Sequence, residues 1–319
     1  MKKAFIHNNP TSDIDFVSRV FTGSQIEGCM SFLSEDDLFR RMKREEYISY
    51  IRNSLVSLAK DAGTKCMKQW NRKITHIIWG SMTGCIYAPS ICVDLISELG
   101  LPLDTEPINI ENMGCLTGYR CLALASDIVK NSKNSSILVI VGDIRNSLGN
   151  QFTEEYDRAN VIVASLFRDS CCACIVSNIS EGARYEILDK KSHVIPNTRD
   201  LVSYTEKNGG YIHLNISRDL PSKISESISS IISTLNISVD KCDVCVHTGG
   251  PRIINGIRDA LHLDDDQLIA SNYIMKKYGN LSGSSNLIVL NENIPTREYT
   301  LGISMGPGIC VQCILLRNM

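Results

Sequence analysis

The segment 115–133 constrains the fold more than any other part of the chain. Its apolar residues, Leu116, Cys121, Leu122, Ala123, Leu124, Ala125, Ile128 and Val129, cover nearly the whole circumference of a helix. A helix that is apolar all round is buried on all sides. Directly after it, Ser136-Ile137-Leu138-Val139-Ile140-Val141 is a continuous apolar run of strand length, the mark of a parallel strand covered on both faces. A central helix followed by a central strand needs further layers on each side, so the class is α/β with a layered core. A chain of 319 residues is long enough to build one.

Strand-like and helix-like runs alternate elsewhere. Residues 3–8 read as a first strand. Residues 35–70 read as helical and charged, with Leu38, Met42, Tyr47, Ile51, Leu55 and Leu58 at helical spacing. Residues 75–80 form a short apolar run ending in glycine, 89–99 a helix closed by Gly100, and 107–110 an extended piece. The second half repeats the plan. Strands are expected at 185–194, 210–216 and 244–247, and an amphipathic helix at 220–235. Further helices are expected at 252–261 and 282–290. Two late strands, 299–304 and 310–316, flank Gly306-Pro307-Gly308. The expectation is two similar halves, 1–180 and 181–319, packed as one unit.

Composition excludes several classes. A net charge of −2 gives no global pull toward nucleic acid or anionic lipid, and no nucleic-acid-binding module is visible. No stretch approaches the roughly 18 apolar residues of a membrane-spanning helix. The three-residue apolar run near the N-terminus is too short for a signal-peptide core, so a cytoplasmic location is expected. The thirteen cysteines make no zinc pattern. Cys171, Cys172 and Cys174 lie in an apolar run that reads as a buried strand. Cys242 and Cys245 have CxxC spacing, but in a strand residues three apart point to opposite faces, so no metal site is expected. Most of the cysteines read as small buried hydrophobes in a reducing compartment.

Three separated segments carry chemical groups. Cys115 falls where an extended run turns into the buried helix, and the free N–H groups of a helix start favour thiolate over thiol. Gly114 permits a sharp turn there, and Gly118 permits close packing one turn in. His247 ends a strand and precedes a glycine-rich turn, facing a crevice. Asn280 sits between Gly279 and a helix start, where its amide can orient a reacting carbonyl. Taken singly, each has an ordinary reading: a packed cysteine, a locally satisfied histidine, a turn asparagine. Their order and flanking residues together favour the functional one.

Met113-Gly114-Cys115-Leu116-Thr117-Gly118 resembles the Gly-Cys-x-x-Gly nucleophile segment of chalcone-synthase-like type III polyketide synthases, members of the thiolase and ketoacyl synthase superfamily. His247-Thr248-Gly249-Gly250-Pro251 is similar to their His-Pro-Gly-Gly-Pro, and Tyr278-Gly279-Asn280-Leu281-Ser282 to their Tyr-Gly-Asn-Met-Ser. Lys73-Ile74-Thr75-His76-Ile77-Ile78 and Gly306-Pro307-Gly308 also match, in order, from about Lys73 onward. The resemblance implies a five-layer αβαβα thiolase-like fold of two similar halves and a homodimer. It implies a condensing acyltransferase with no permanently bound cofactor, using CoA or phosphopantetheine thioesters as substrates. Cys115 takes the acyl group. His247 and Asn280 stabilise the enolate of a decarboxylating malonyl-type extender, which attacks the Cys115 thioester; His247 also pairs with the thiolate. Met113, Phe167, Ser282, Met305, Gly306, Pro307 and Gly308 line the pocket. Gly249, Gly250 and Arg252 are candidate contacts for CoA or phosphopantetheine.

The chain also departs from the family pattern. Leu166-Phe167-Arg168-Asp169-Ser170 has Arg168 and Ser170 where the family has glycines. Phe167 keeps one gatekeeper phenylalanine, while the other falls near Gly149. Ala88, before Pro89, replaces a pocket-loop methionine, and Met305 replaces a phenylalanine. The basic segment that holds CoA phosphates has no clear counterpart; Arg40, Arg41, Lys43 and Arg44 read as a solvated helix face balanced by Glu45 and Glu46. Two other readings stay open. One is a single condensation or acyl transfer fed by an acyl carrier protein, as in ketoacyl synthase III enzymes; the other is a non-catalytic partner subunit.

Overall fold

The structure, a computed structural model, describes residues 1–28, 30–40, 44–83, 88–132, 134–145, 158–207 and 211–319. Helices α1 (Lys2–Asn8), α2 (Ile14–Gly23) and α3 (Glu35–Phe39) precede the long α4 (Arg44–Met67). Then follow β1 (His76–Ser81), α5 (Ile91–Glu98), β2 (Glu106–Glu111), α6 (Thr117–Asn131) and β3 (Ser136–Asp143). Helix α7 (Arg158–Leu166) leads to β4 (Ser170–Ser177) and β5 (Tyr185–Val194). A hairpin, β6 (Val202–Lys207) and β7 (Tyr211–Ile216), comes next. The chain ends with α8 (Leu220–Ser233), β8 (Cys242–Val246), α9 (Pro251–Leu261), α10 (Ile269–Tyr278), α11 (Ser284–Glu292), β9 (Tyr299–Gly306) and β10 (Cys310–Asn318).

The strands make two four-stranded sheets, ordered β2-β1-β3-β4 and β5-β10-β9-β8. Side-chain alternation along β3 explains the layers. Leu138 and Ile140 face outward and join Tyr47, Ile51, Leu55 and Ala59 of α4. Ile137, Val139 and Val141 face inward and meet Tyr119, Cys121, Leu122 and Ala125 of α6, with Leu287 and Leu290 of α11. The same inner core takes Cys245, Ile314 and Leu316 from the second sheet. That sheet's other face, including Val244, Val246, Leu301 and Ile303, packs under α8 and α9. The result is the expected αβαβα stack, with α6 and α11 as its central layer. Tyr119 is fully buried, and its hydroxyl donates to Cys245 O at 3.0 Å, tying α6 to β8.

Several local expectations change. Residues 3–8 form helix α1, not a strand: Ala4, Phe5 and Asn8 share one helical face, and Phe5 packs on Val17, Val161 and Ala164. So short an apolar run does not distinguish the two periods. The run 35–70 is two helices; Leu38, Tyr47, Ile51 and Leu55 are buried as expected, whereas Met42 lies outside the described residues. The run 170–176 is not an interior strand. β4 pairs antiparallel with β3 at the end of its sheet, and Cys171, Cys172 and Cys174 keep part of their surface. Cys242 and Cys245 fall in different cores, on opposite faces of β8. Helix α10 had a readable start, because Asp264 and Gln267 form a reciprocal capping box just before it. No helix among the described residues is long and apolar enough to cross a membrane.

One position tests the central packing. A Cβ on Gly302 of β9 would lie 2.6 Å from Tyr119 Cζ and 2.6 Å from Ile314 Cγ2. Gly302→Ala is expected to overpack this layer and cost about 1–3 kcal/mol, read as a lower urea midpoint with an unchanged m-value.

Candidate functional site

Cys115 lies in a single 3-10 turn, Gly114–Leu116, that runs straight into α6. Gly114 has φ +61°, and a Cβ there would come within 2.3 Å of Pro307 Cδ. Glycine is therefore needed twice, for the turn and for the approach of the 306–308 loop. One turn on, a Cβ at Gly118 would lie 2.4 Å from Gly283 O, so both glycines do what the sequence suggests. Asn286 Nδ2 of α11 donates to Cys115 O at 2.9 Å and holds the turn from the other side.

Asn280 sits between α10 and α11. Its N–H donates to Leu166 O and its C=O accepts from Arg168 N, both at 2.9 Å, making a parallel bridge to Phe167. The side-chain Oδ1 accepts from Ser282 N at 2.9 Å and lies 3.9 Å from Cys115 Sγ. That leaves Nδ2 to donate elsewhere. His247, 2% exposed, continues β8, with its N–H donating to Ile303 O at 2.9 Å. The neighbouring Thr248 Oγ1 donates to Gly279 O at 2.8 Å and lies 2.8 Å from Ser285 Oγ, which accepts from Leu281 N. The histidine strand is thus bolted to the asparagine segment, and the asparagine touches the cysteine. The structure brings the three segments together.

Burial pushes the Cys115 thiol up to about 11; Arg145 pulls it down, Asp143 pushes it further up, and Asn280 and Ser282 pull it down. Burial also pushes His247 down to about 3, and its Nδ1 has no partner among the described residues. The helix-start effect expected to favour thiolate is outweighed by desolvation. At neutral pH the resting pair is a neutral thiol and a neutral imidazole.

The wall beside Cys115 is a small apolar cluster of Val163, Phe167 and Leu214, with Val202, Tyr204 and Ile216 against it. Arg145, only 3% exposed, stacks its guanidinium 4.9 Å from the Phe167 ring centroid and 4.9 Å from that of Tyr204. Its backbone N–H donates to Asp169 Oδ1 at 2.6 Å, and Asp169 Oδ2 accepts from Phe32 N at 2.8 Å. Sequence reading missed Arg145, Tyr204 and strand β6. The available signal was Asp143-Ile144-Arg145: charges at the carboxyl end of an apolar parallel strand, where α/β proteins place their sites.

Ser282 is fully buried at φ +55°, and its hydroxyl has no partner among the described residues apart from its influence on Cys115. Met113 caps the Cys115 turn and Gly306 and Pro307 adjoin it, whereas Gly308 O accepts from Thr198 Oγ1 at 3.1 Å. Met305 goes elsewhere: it belongs to the core under α8 and α9, because alternation along β9 turns it away from the cluster holding Cys115. Gly249 leaves room for the imidazole, since a Cβ there would lie 3.2 Å from His247 Cδ2. Gly250 starts α9, its C=O accepting from Ile253 N and Ile254 N; Arg252 is exposed on the first turn. Arg168 is buried and caps Ala164 O and Phe167 O, while Ser170 Oγ donates to Leu281 O at 3.0 Å. The two non-glycine residues thus stitch the turn to its surroundings. Arg40 pairs with Glu46 at 2.8 Å, as a solvated face would; Arg41, Lys43 and Gly149 lie outside the described residues. Ala88 is exposed. A surface cleft of about 540 Å³ between α4 and α5 has its cations already paired, Arg52 with Asp94 and Lys60 with Glu98. Among the described residues no cluster of three or more His, Cys, Asp or Glu is arranged to hold a metal.

Comparison with known proteins places this geometry. The model for chalcone and stilbene synthases, N-terminal domain, matches residues 42–179, and the one for the C-terminal domain matches 186–319. Type III polyketide synthase A of Arabidopsis thaliana is 28% identical, over 83% of this chain and 72% of its own length. Probable polyketide synthase 1 of Dictyostelium discoideum is 27% identical over 95% of this chain, which spans only 10% of that much longer protein. The crystal structure of the C-terminal type III polyketide synthase domain of Steely1, a type I/III hybrid from Dictyostelium, superposes with a TM-score of 0.88. The sequence identity is 25%, and the match covers 99% of this chain and 92% of that one. With both halves of the family's description met in order and the fold shared throughout, the chain belongs to the chalcone and stilbene synthase family, the type III polyketide synthases.

Proposed function

We propose that this chain loads an acyl group on Cys115 and extends it by decarboxylative Claisen condensation with a malonyl thioester. The observation that carries the reading is the convergence of Cys115, Asn280 and the His247 strand beside an apolar side-chain cluster. Family membership supports CoA thioesters as the donors. The finer assignments rest on the geometry of the residues, as follows.

Because both partners rest neutral, loading begins with proton transfer rather than from a standing ion pair. Neutral His247 accepts the thiol proton as Cys115 Sγ attacks the thioester carbonyl, and the CoA thiolate leaves with a proton. In the second half-reaction the malonyl thioester loses CO2. Negative charge grows on its thioester oxygen, where the Asn280 Nδ2 amide and a His247 N–H stabilise it. The enolate carbon attacks the acyl carbonyl on Cys115, the C–S bond breaks, and the released Cys115 thiolate takes up one proton from solvent. A buried, desolvated site strengthens each of these hydrogen bonds.

Two measurements test this. In purified protein given malonyl-CoA and an acyl-CoA, Cys115→Ala is expected to abolish the acyl adduct seen by intact mass, while His247→Ala and Asn280→Ala each lower malonyl-CoA decarboxylation by about 10²–10³-fold. An acyl adduct that persists in Cys115→Ala sinks the assignment. The pH dependence follows from the raised thiol: below about 11 it is protonated. Alkylation of Cys115 by iodoacetamide is therefore expected to climb about tenfold per pH unit from 7 to 9. A flat rate across that range would show an imidazolium–thiolate pair instead.

A further inference from the structure

Arg145 is a cation without an obvious counter-ion. It is 3% exposed, its guanidinium lies between the faces of Phe167 and Tyr204, and its Nε has no hydrogen-bond partner among the described residues. No carboxylate among the described residues forms an ion pair with it. Asp169 spends both oxygens on backbone N–H groups, of Arg145 and Phe32. Asp143, two residues earlier and fully buried, accepts at Oδ1 from Ser81 Oγ, Met82 N, Thr83 N and Thr83 Oγ1, while its Oδ2 has no hydrogen-bond partner among the described residues and makes no ion pair with Arg145 there. A desolvated guanidinium is costly unless an anion completes it. The two rings hold it in place but supply no anion.

Its surroundings point to where that anion comes from. Phe167, Tyr204 and Cys115 belong to one packed cluster, so the guanidinium stacked on those two rings stands beside the residue proposed to carry the acyl group. The Tyr204 hydroxyl is also buried and without a partner among the described residues. A planar fork of N–H donors beside a phenol is a receptor for a carboxylate. An otherwise apolar wall holding one such fork discriminates strongly for an acyl group that ends in an anion.

We propose that the pocket takes an acyl thioester whose far end is a carboxylate, with Arg145 as its binding residue and Tyr204 as a second donor. This rests on the condensing reading for the identity of the thioester, but not for the anion site itself. The loading step is ordinary thioester exchange: the Cys115 S–C bond forms, the CoA S–C bond breaks, and the proton of Cys115 leaves with the CoA thiol. The carboxylate is not consumed. It belongs either to a dicarboxylyl starter or to the malonyl extender before decarboxylation.

The experiment has two arms. The first compares alkylation of Cys115 by iodoacetate, an anion, with alkylation by neutral iodoacetamide, followed by peptide mass spectrometry. The iodoacetate-to-iodoacetamide rate ratio is expected to fall at least tenfold in Arg145→Met and to be largely kept in Arg145→Lys. An unchanged ratio in Arg145→Met overturns the proposal and leaves Arg145 as a counter-charge for Asp143. The second arm measures Cys115 acylation from succinyl-CoA and butyryl-CoA, which differ by a carboxylate in place of a methyl, and in parallel the decarboxylation of malonyl-CoA. Faster acylation by succinyl-CoA in the wild type, reversed in Arg145→Met, assigns the carboxylate to the starter. Loss of malonyl-CoA decarboxylation alone assigns it to the extender. Butyryl-CoA preferred by the wild type, with decarboxylation untouched by Arg145→Met, overturns the proposal. An alkylation ratio that depends on Arg145 while no thioester acylates Cys115 keeps the anion site and removes the condensing reading.

Discussion

The packing of one helix between two sheets organises the molecule. Helix α6 is sandwiched between two sheets, and Tyr119, Cys121, Leu122 and Ala125 bury their side chains against both. At its N-terminal end Gly114 and Pro307 approach closely and fix the turn that carries Cys115. The same enclosure dries the sulfur. Its protonation state is then decided by desolvation rather than by the helix start, which is why the resting thiol and imidazole are both neutral. Packing and reactivity at this position therefore have one cause.

The layered core was legible because its residues have no alternative. An eight-residue strand as apolar as β3 has to be covered twice, and a helix as apolar as α6 has to be central. The catalytic candidates were legible because each stands beside a glycine or turn signal that marks a chain reversal. What failed was short or contextual. Residues 3–8 are too few to show a period, and α1 is fixed by contacts with Val17 and Val161, far along the chain. The 170–176 run is apolar enough for an interior strand but ends a sheet, a matter of sheet order that no local pattern encodes. Met305 was placed in the pocket by resemblance, and strand alternation put it on the other face.

Arg145 shows the opposite kind of blind spot. A single arginine after a strand looks like the start of a surface loop, and nothing nearby in sequence announces Phe167 or Tyr204. Only the hairpin β6–β7, folding back beside Cys115, brings the second ring to the guanidinium. The feature is tertiary, assembled from three segments that are ordinary when read alone.

The bridge between Phe167 and Asn280 has its own consequence. The backbone of the asparagine hangs on Leu166 O and Arg168 N, the two residues that flank the phenylalanine. The Phe167 ring, and an amide proposed to hold the developing oxyanion, are therefore anchored to one short piece of backbone. A substitution that shifts the backbone at Phe167 shifts that of Asn280 with it, so the two positions vary as a mechanically coupled pair rather than as separate sites.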